Sequence, residues 1–506
     1  MLADEAAPQA RASDLPLVVD LDGTLIRSDV FADAMLRYGF REPWKAPLLL
    51  GWLMRGRAHA KARLAECAAC DPATLPYDER LVEYLREERA KGRTIVLATA
   101  SNIVAAQAVA DHFGVFDAVV ASDETTNLKS KRKAERLTEM YPQGFAYAGN
   151  ESADLAVWRA AKRAVVVNAS SGLAARVRRD HEVEREFAPH ANPLKAFIKA
   201  IRPQQWVKNA LVFLPMLIGG GWTSPQTWLL AFTAFWALSF TASAVYLVND
   251  SSDIDADRLH PRKRNRPFAS GALSPLWGLT AAVFLFAPLG LGLAAYAGVL
   301  PLVLTYLVIT TLYSFLLKRI VLVDVFVLAA LYTIRIVIGG AATGYFASDW
   351  LLAFSCFFFF SLALVKRAAE TIDMAQRGGG KLGGRGYRST DTQILSIMGI
   401  GSGLVAALVL ALYLQQPAIM ARFSTPLLLW VLPAAEMFWI CRIWLKTHRG
   451  EMHDDPIVFA ARDKASWAIG AFVALGVAAA TMLPRGTLDN VICHTDANTG
   501  ICTPED

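Results

Sequence analysis

The sequence predicts two fold classes in one chain: a parallel α/β domain with a small helical cap, and an all-α polytopic membrane bundle of about nine helices at ~20 residues per span. Three observations predict this. Short apolar runs alternate with helical patterns through the first third of the chain, which is the pattern of strand–helix–strand units. Residues 205–484 are a series of apolar runs separated by short polar loops. At 54% hydrophobic, with a mean hydropathy of +0.33, a chain of 506 residues is too apolar to be wholly soluble. The boundaries read as a polar tail over 1–14, the α/β domain over 15–180, a charged linker with two prolines over 181–196, the bundle over 197–484 and a second tail over 485–506.

The α/β domain begins with Leu15-Pro16-Leu17-Val18-Val19, a buried-strand pattern ending in Asp20-Leu21-Asp22-Gly23-Thr24-Leu25. Thr94–Ala98 is a second strand, ending in Thr99. Ala118–Ala121, Phe145–Ala148 and Ala164–Val167 follow with helical stretches between them. Polar residues at the carboxyl ends of parallel strands line the usual ligand crevice of such a sheet. There a carboxylate at Asp20 can attack phosphorus and form an aspartyl-phosphate. Asp22, two residues on, is placed to act as general acid and then base. Thr99 is positioned to bind a phosphoryl oxygen and Lys133 to neutralise its charge. Asp154, after Gly149-Asn150-Glu151-Ser152-Ala153, is a candidate Mg²⁺ ligand with Asp20 and Asp22. A single D-x-D-G-T is also compatible with a surface turn. Four such elements in order at strand ends are not.

These residues resemble the haloacid dehalogenase (HAD) phosphatase superfamily over about residues 15–180. Its four motifs map onto Asp20 and Asp22, Thr99, Lys133 and Asp154. The resemblance implies that Asp20 is the nucleophile and Asp22 the acid/base, with residues 27–90 forming a helical cap. The fourth motif of that family often begins Gly-Asp, whereas this chain has Gly149-Asn150.

In the apolar half, expected spans are 208–222, 227–249, 277–296, 299–317, 321–342, 350–365, 392–414, 425–445 and 466–483. Met1 to Asp14 has no apolar core of a secretory signal. Loops 250–275, 317–320, 366–391 and 446–465 hold most of the Lys and Arg between spans. The positive-inside rule then keeps the α/β domain in the cytoplasm and puts the carboxyl-terminal tail outside the plasma membrane. Outside, Cys493 and Cys502 are free to form a disulfide. The net charge of +6 sits largely in the membrane loops and suits anionic lipid and phosphate. No nucleic-acid motif is present.

The most informative stretch is Asn249-Asp250-Ser251-Ser252-Asp253-Ile254-Asp255-Ala256-Asp257. It follows directly on an apolar span. Asp250, Asp253 and Asp257 keep helical spacing and are expected on one face of a continuing helix. Grouped carboxylates repel unless a cation binds between them, and hard oxygen ligands suit Mg²⁺ with a substrate phosphate. Lys263 and Arg266 follow and suit the remaining phosphate oxygens. Further polar clusters are Arg202 to Asn209 with Lys208, Tyr313 with Lys318, Asp324 and Arg335 inside an apolar run, and Lys366-Arg367 with Glu370. Ionisable residues within a span face a cavity or a partner. For Asp324 and Arg335, simple neutralisation by partners in the bundle stands as the alternative.

This half resembles the UbiA superfamily of intramembrane prenyltransferases over roughly residues 195–484. Asn249, Asp250, Asp253 and Asp257 fit its N-D-x-x-D-x-x-x-D motif. A second Asp-rich motif is expected in that family, yet Lys366-Arg367 and Glu370-Thr371-Ile372-Asp373 stand in the later loop. With Arg202-Pro203-x-Gln205-Trp206-x-Lys208-Asn209 and Tyr313-x4-Lys318, the pattern looks like the decaprenyl-phosphate phosphoribosyltransferases of that superfamily. The resemblance implies phosphoribosyl diphosphate as donor, a polyprenyl phosphate as acceptor, and Mg²⁺. Lys208, Lys263, Arg266, Lys318, Lys366 and Arg367 would bind phosphates, while Asn249, Tyr313, Arg335 and Glu370 would contact substrate. The fused phosphatase would then remove the 5-phosphate of the product. The runner-up is transfer of an isoprenoid from its diphosphate to an aromatic acceptor, with a separate role for the α/β domain. A non-catalytic membrane module with a regulatory α/β domain is a third reading.

Overall fold

The computed structural model describes residues 15–376, 378, 385–452, 455–484, 494–495 and 502–503. Cys493 lies outside them, and with it the expected disulfide. The chain divides into two compact units, Met1–Arg202 with Tyr246–Leu285, and Pro203–Val245 with Phe286–Asp506.

The first unit is built on a six-stranded sheet. Its strands are β1 (Leu17–Val19), β2 (Ile95–Asn102), β3 (Ala118–Ser122), β4 (Ala146–Gly149), β5 (Arg163–Val167) and β6 (Val183–Phe187). Spatially they run β3-β2-β1-β4-β5-β6, and every neighbouring pair is parallel. Both faces are covered, so β1 is buried at every position and its sequence does not alternate. Leu17, Val19, Leu81, Leu85 and Leu97 fill one side. Val18, Val96, Leu137, Tyr147 and Trp158 fill the other.

Two expectations need correction here. The segment 181–196, expected as a linker, contains β6 and the start of the helix Pro193–Ile201. Phe187 points into the core and Glu184 accepts from Arg93 Nη1 at 2.5 Å and from Tyr84 Oη at 2.6 Å. Burial of Phe187 and this charged knot outweigh the linker-like composition. The cap is also smaller than residues 27–90. It consists of α1 (Val30–Arg41), α2 (Ala46–Met54) and α3 (Arg57–Cys67), sharing a small core of Ala34, Tyr38, Leu64 and Trp52. The next helix, Glu79–Ala90, packs Leu81 and Leu85 into the sheet core instead. Asp29 starts α1 by accepting from Ala32 N at 3.0 Å, a conventional N-cap.

Arg93 is fully buried and donates to the Leu15 carbonyl at 2.8 Å and to Glu88 at 2.8 Å besides Glu184. Removing one partner of a buried ion pair strands the other. Arg93→Met is therefore expected to destabilise the protein by about 3–5 kcal/mol. Thermal unfolding of the detergent-solubilised chain measures this, and a midpoint equal to that of the wild type overturns it.

Seven helices are long and apolar enough to cross a membrane: Pro225–Ser252, Pro275–Tyr296, Val323–Thr343, Asp349–Gln376, Ser389–Leu414, Pro426–His448 and Lys464–Met482. Leu300–Phe315 is a shorter apolar helix. The expected first span, 208–222, is not formed as one helix. It is a 3₁₀ stretch, Pro203–Phe213, then the short helix Leu214–Gly219 and the turn Gly221–Thr223. Gly220 adopts a left-handed φ of +86°, and a Cβ on Gly219 or Gly221 would meet the Tyr345 ring at 2.4 Å. Close packing of Tyr345 on this glycine run ends the helix where hydropathy alone would continue it. Among the described residues the expectation of about nine spans therefore becomes seven long helices and one short one.

Candidate active sites

In the first unit, the phosphatase-like residues converge at the carboxyl ends of β1, β2 and β4. Gly23 has a left-handed φ of +75°, and a Cβ there would meet the Asn150 amide at 2.1 Å. This is why glycine follows the two aspartates. Lys133, on the helix Lys131–Met140, donates to Asp20 Oδ1 at 2.7 Å and to Tyr147 Oη at 3.0 Å. Tyr147 in turn donates to Asp154 Oδ1 at 2.8 Å. The other oxygen of Asp154 accepts from the Asn150 and Glu151 amides, each at 3.0 Å. Asp22 is held by Val30 N at 2.8 Å and Ser101 Oγ at 2.6 Å. Thr99 is buried, and its hydroxyl accepts from Ser101 N at 2.9 Å.

Burial pushes the Asp20 carboxyl up, Lys133 opposes this, and the neighbouring Asp154 charge adds to the rise. Burial and the charge of Asp29 push Asp22 up to about 7. A carboxyl that titrates near neutrality is suited to give a proton and later take one. Burial opposes the charge on Lys133, but Asp20 and Asp154 hold it protonated. Tyr147 and Ser101 were not singled out from sequence, since Tyr147 reads as an ordinary strand residue.

The Asp-rich stretch also belongs to the first unit. The expected continuous helix breaks at Asp253, after Ser252, and restarts as Ile254–Leu259. Asp250 and Asp257 nevertheless meet on one cation. Arg266 Nη1 lies 3.2 Å from Asp250 and 2.6 Å from Asp257. Arg202 adds contacts of 2.6 Å to both Asp250 oxygens. Asn249 donates to Asp253 at 3.2 Å. Burial pushes the Asp257 carboxyl up against the pull of Arg266. Lys263 is exposed nearby and contributes to the same field.

The second unit holds two buried charge networks. Lys208 donates to Asp455 at 2.6 Å, Tyr332 donates to the same carboxylate at 2.9 Å, and Lys366 lies 3.6 Å from it. Arg335 donates to Asn209 at 2.9 Å and to Tyr306 at 3.2 Å. Arg367 and Asp324 are fully buried and paired at 2.5 Å. Arg367 also reaches Glu370 at 2.5 Å and Tyr313 at 2.9 Å, and Tyr387 donates to Asp324 at 2.5 Å. Asp324 is thus neutralised by Arg367 inside the bundle, whereas Arg335 meets only the neutral Asn209 and Tyr306 among these contacts. Lys318 stands half-buried close by in sequence, on the turn Leu317–Arg319. Asp455 was not foreseen. Its signal is the Asp-Pro step of a helix N-cap, and it accepts from Ile457 N at 3.2 Å.

Among the described residues, no three His, Cys, Asp or Glu side chains come together to hold a metal. The expected triads, Asp20 with Asp22 and Asp154, and Asp250 with Asp253 and Asp257, are not assembled as such. Lys133, Arg202 and Arg266 draw the carboxylates toward themselves. Pairs do form: Asp20 feels the Asp154 charge, and Asp250 and Asp257 share Arg266. Mg²⁺ typically takes only one or two protein carboxylates together with substrate phosphates, so these donor sets fit it.

An α/β domain with clustered carboxylates and an apolar helical part with buried cations define a membrane protein of two domains. Residues 210–461 match the UbiA prenyltransferase family, and residues 17–164 match the haloacid dehalogenase-like hydrolases. The chain is 37% identical over 463 residues to the uncharacterized protein y4nM of Sinorhizobium fredii, covering 91% of this chain and 90% of that one. It is 34% identical over 291 residues to the nodulation protein NoeC of Azorhizobium caulinodans, covering 56% of this chain and 93% of that one. It is 40% identical over 202 residues to the decaprenyl-phosphate phosphoribosyltransferase of Mycobacterium tuberculosis, covering 38% of this chain and 65% of that one. The chain belongs to the UbiA prenyltransferase family and carries a haloacid dehalogenase-like hydrolase domain ahead of it. It is an integral membrane enzyme.

Proposed function

We propose that the chain transfers 5-phosphoribose from phosphoribosyl diphosphate to a polyprenyl phosphate and then hydrolyses the 5-phosphate of the product. The observation that carries this reading is the pairing of buried carboxylates with fixed cations at both sites of one chain. Asp250 and Asp257 share Arg266, Arg202 also pairs with Asp250, and Asp20 is paired with Lys133. The resemblance to the mycobacterial phosphoribosyltransferase supports the choice of donor. In the transfer step an acceptor phosphate oxygen bonds to the anomeric carbon as the diphosphate oxygen leaves. Arg202 and Arg266, with Lys263 as a further cation, orient and neutralise the phosphates. In the hydrolytic step an Asp20 oxygen attacks the 5-phosphorus. Asp22 protonates the leaving ribose oxygen, then takes a proton from the water that cleaves the aspartyl-phosphate. Mg²⁺ held by the pair Asp250 and Asp257 at one site, and by Asp20 with Asp154 at the other, would supply further charge neutralisation. The α/β domain and the basic loops lie on the cytoplasmic side in this reading, and the carboxyl-terminal tail outside.

The test is mass spectrometry of lipids formed by the purified protein. With phosphoribosyl diphosphate and polyprenyl phosphate, the expected products are the phosphoribosylated lipid and its 5-dephosphorylated form. Product from a prenyl diphosphate and an aromatic acid, with none from phosphoribosyl diphosphate, overturns this assignment in favour of prenyl transfer.

A further inference from the structure

A cavity of about 570 Å³ opens onto Asp20 and Lys133 within the first unit. Its lining has three chemistries. Asp20, Asp22 and Lys133 form the reacting end. Arg27 and Arg57, with Lys61 and Lys129, supply further positive charge. Leu53 of α2, with Leu273 and Leu276 of the segment Tyr246–Leu285, supplies apolar surface.

That apolar wall is fixed in place. Arg37 of the cap grips Asp255 with two bonds, of 2.7 and 2.5 Å. Arg258 donates to Asp33 of α1 at 2.7 Å, and both side chains are almost fully buried. Gly271, with φ of +71°, lets the segment pass Arg27 so closely that a Cβ would lie 2.7 Å from the Arg27 backbone carbon. The helix bearing Leu53 also carries exposed apolar side chains. Leu48, Leu50 and Met54 are 52%, 60% and 81% exposed, beside Trp44 at 72%.

A pocket for a small, freely soluble sugar phosphate has no need of a leucine wall borrowed from a distant segment. We propose that this pocket is built for an amphiphilic phosphate monoester. The phosphoryl group meets Asp20, a second anionic group meets Arg27 and Arg57, and an apolar tail lies against Leu53, Leu273 and Leu276. The tail continues onto the exposed apolar side chains of α2. Leu273 and Leu276 are then specificity determinants of the phosphatase, although they lie more than 240 positions from its nucleophile in sequence. This inference rests on the phosphatase reading above and names the substrate class of that site.

The test compares two esters with the full chain in detergent: ribose 5-phosphate, and a farnesyl-phosphoryl ribose 5-phosphate. Wild type is expected to favour the prenylated ester in kcat/KM by at least about tenfold, the scale of discrimination a small hydrophobic contact provides. In the double variant Leu273→Asn/Leu276→Asn this preference collapses to near unity, while ribose 5-phosphate hydrolysis stays within about twofold of wild type, because that ester makes no use of the wall. If the double variant loses hydrolysis of both esters, Leu53→Asn on the cap decides by the same ratio. Wild-type hydrolysis of both esters, with a preference unchanged in the variants, overturns this inference alone. Hydrolysis of neither ester by the wild type overturns the phosphatase reading and this inference with it.

Discussion

Asp257→Asn is expected to abolish phosphoribosyl transfer, a loss of at least about 10²–10³-fold in kcat, while the chain remains folded in detergent. Asp250→Asn is expected to behave in the same way. Both carboxylates are buried and held in register by Arg266, with Arg202 bracing Asp250. The amide is nearly isosteric, so packing survives. The lost charge removes a cation ligand and leaves Arg266 with one anionic partner in place of two. A diphosphate leaving group needs its developing charge met by groups already in position, and the variant meets it with one fewer. Lipid product formed per minute at saturating Mg²⁺ reads the effect, and size-exclusion profiles in detergent report folding. Near-normal turnover of both variants at saturating Mg²⁺ would sink the assignment of this cluster.

Asp20→Asn is expected to have the opposite partition. Transfer continues and the 5-phosphorylated lipid accumulates, because the hydrogen-bond network of Asp20 with Lys133, Tyr147 and Asp154 includes none of the proposed transfer residues. An amide is a poor nucleophile toward phosphorus, so dephosphorylation falls by at least about 10³-fold, in the range seen when a nucleophile is removed. The observable is the ratio of phosphorylated to dephosphorylated lipid in a coupled assay. An unchanged ratio means that the hydrolase domain does not process this lipid. Asn150, where related phosphatases often carry Asp, sits against Gly23 and accepts from the Thr24 hydroxyl at 3.2 Å. Its neutral amide leaves Asp20 and Asp154 as the anionic pair beside Lys133.

Much of this molecule was legible in the sequence because its signals are local. A three-residue strand between two buried faces reads as Leu17-Val18-Val19 without alternation. The D-x-D-G turn needs glycine at a left-handed φ, and the long membrane helices declare themselves by unbroken hydropathy. The order of motif residues at strand ends was enough to bring Asp20, Asp22, Lys133 and Asp154 to one crevice, since parallel strands present their carboxyl ends together. Long-range pairing was not legible. Nothing near Val183 in sequence says that Glu184 will neutralise Arg93, so β6 looked like linker. Hydropathy cannot sense Tyr345 packed on Gly219 and Gly221, so a ninth span was expected where a 3₁₀ stretch forms. Periodicity placed Asp250, Asp253 and Asp257 on one helix face. The structure breaks that helix at Asp253 and uses Arg202 and Arg266 to bring Asp250 and Asp257 together. The sequence by itself determined which residues carry charge and which backbone states are allowed. Tertiary packing alone decided which charges are paired, because a buried charge must find its partner in space, at whatever distance along the chain that partner lies.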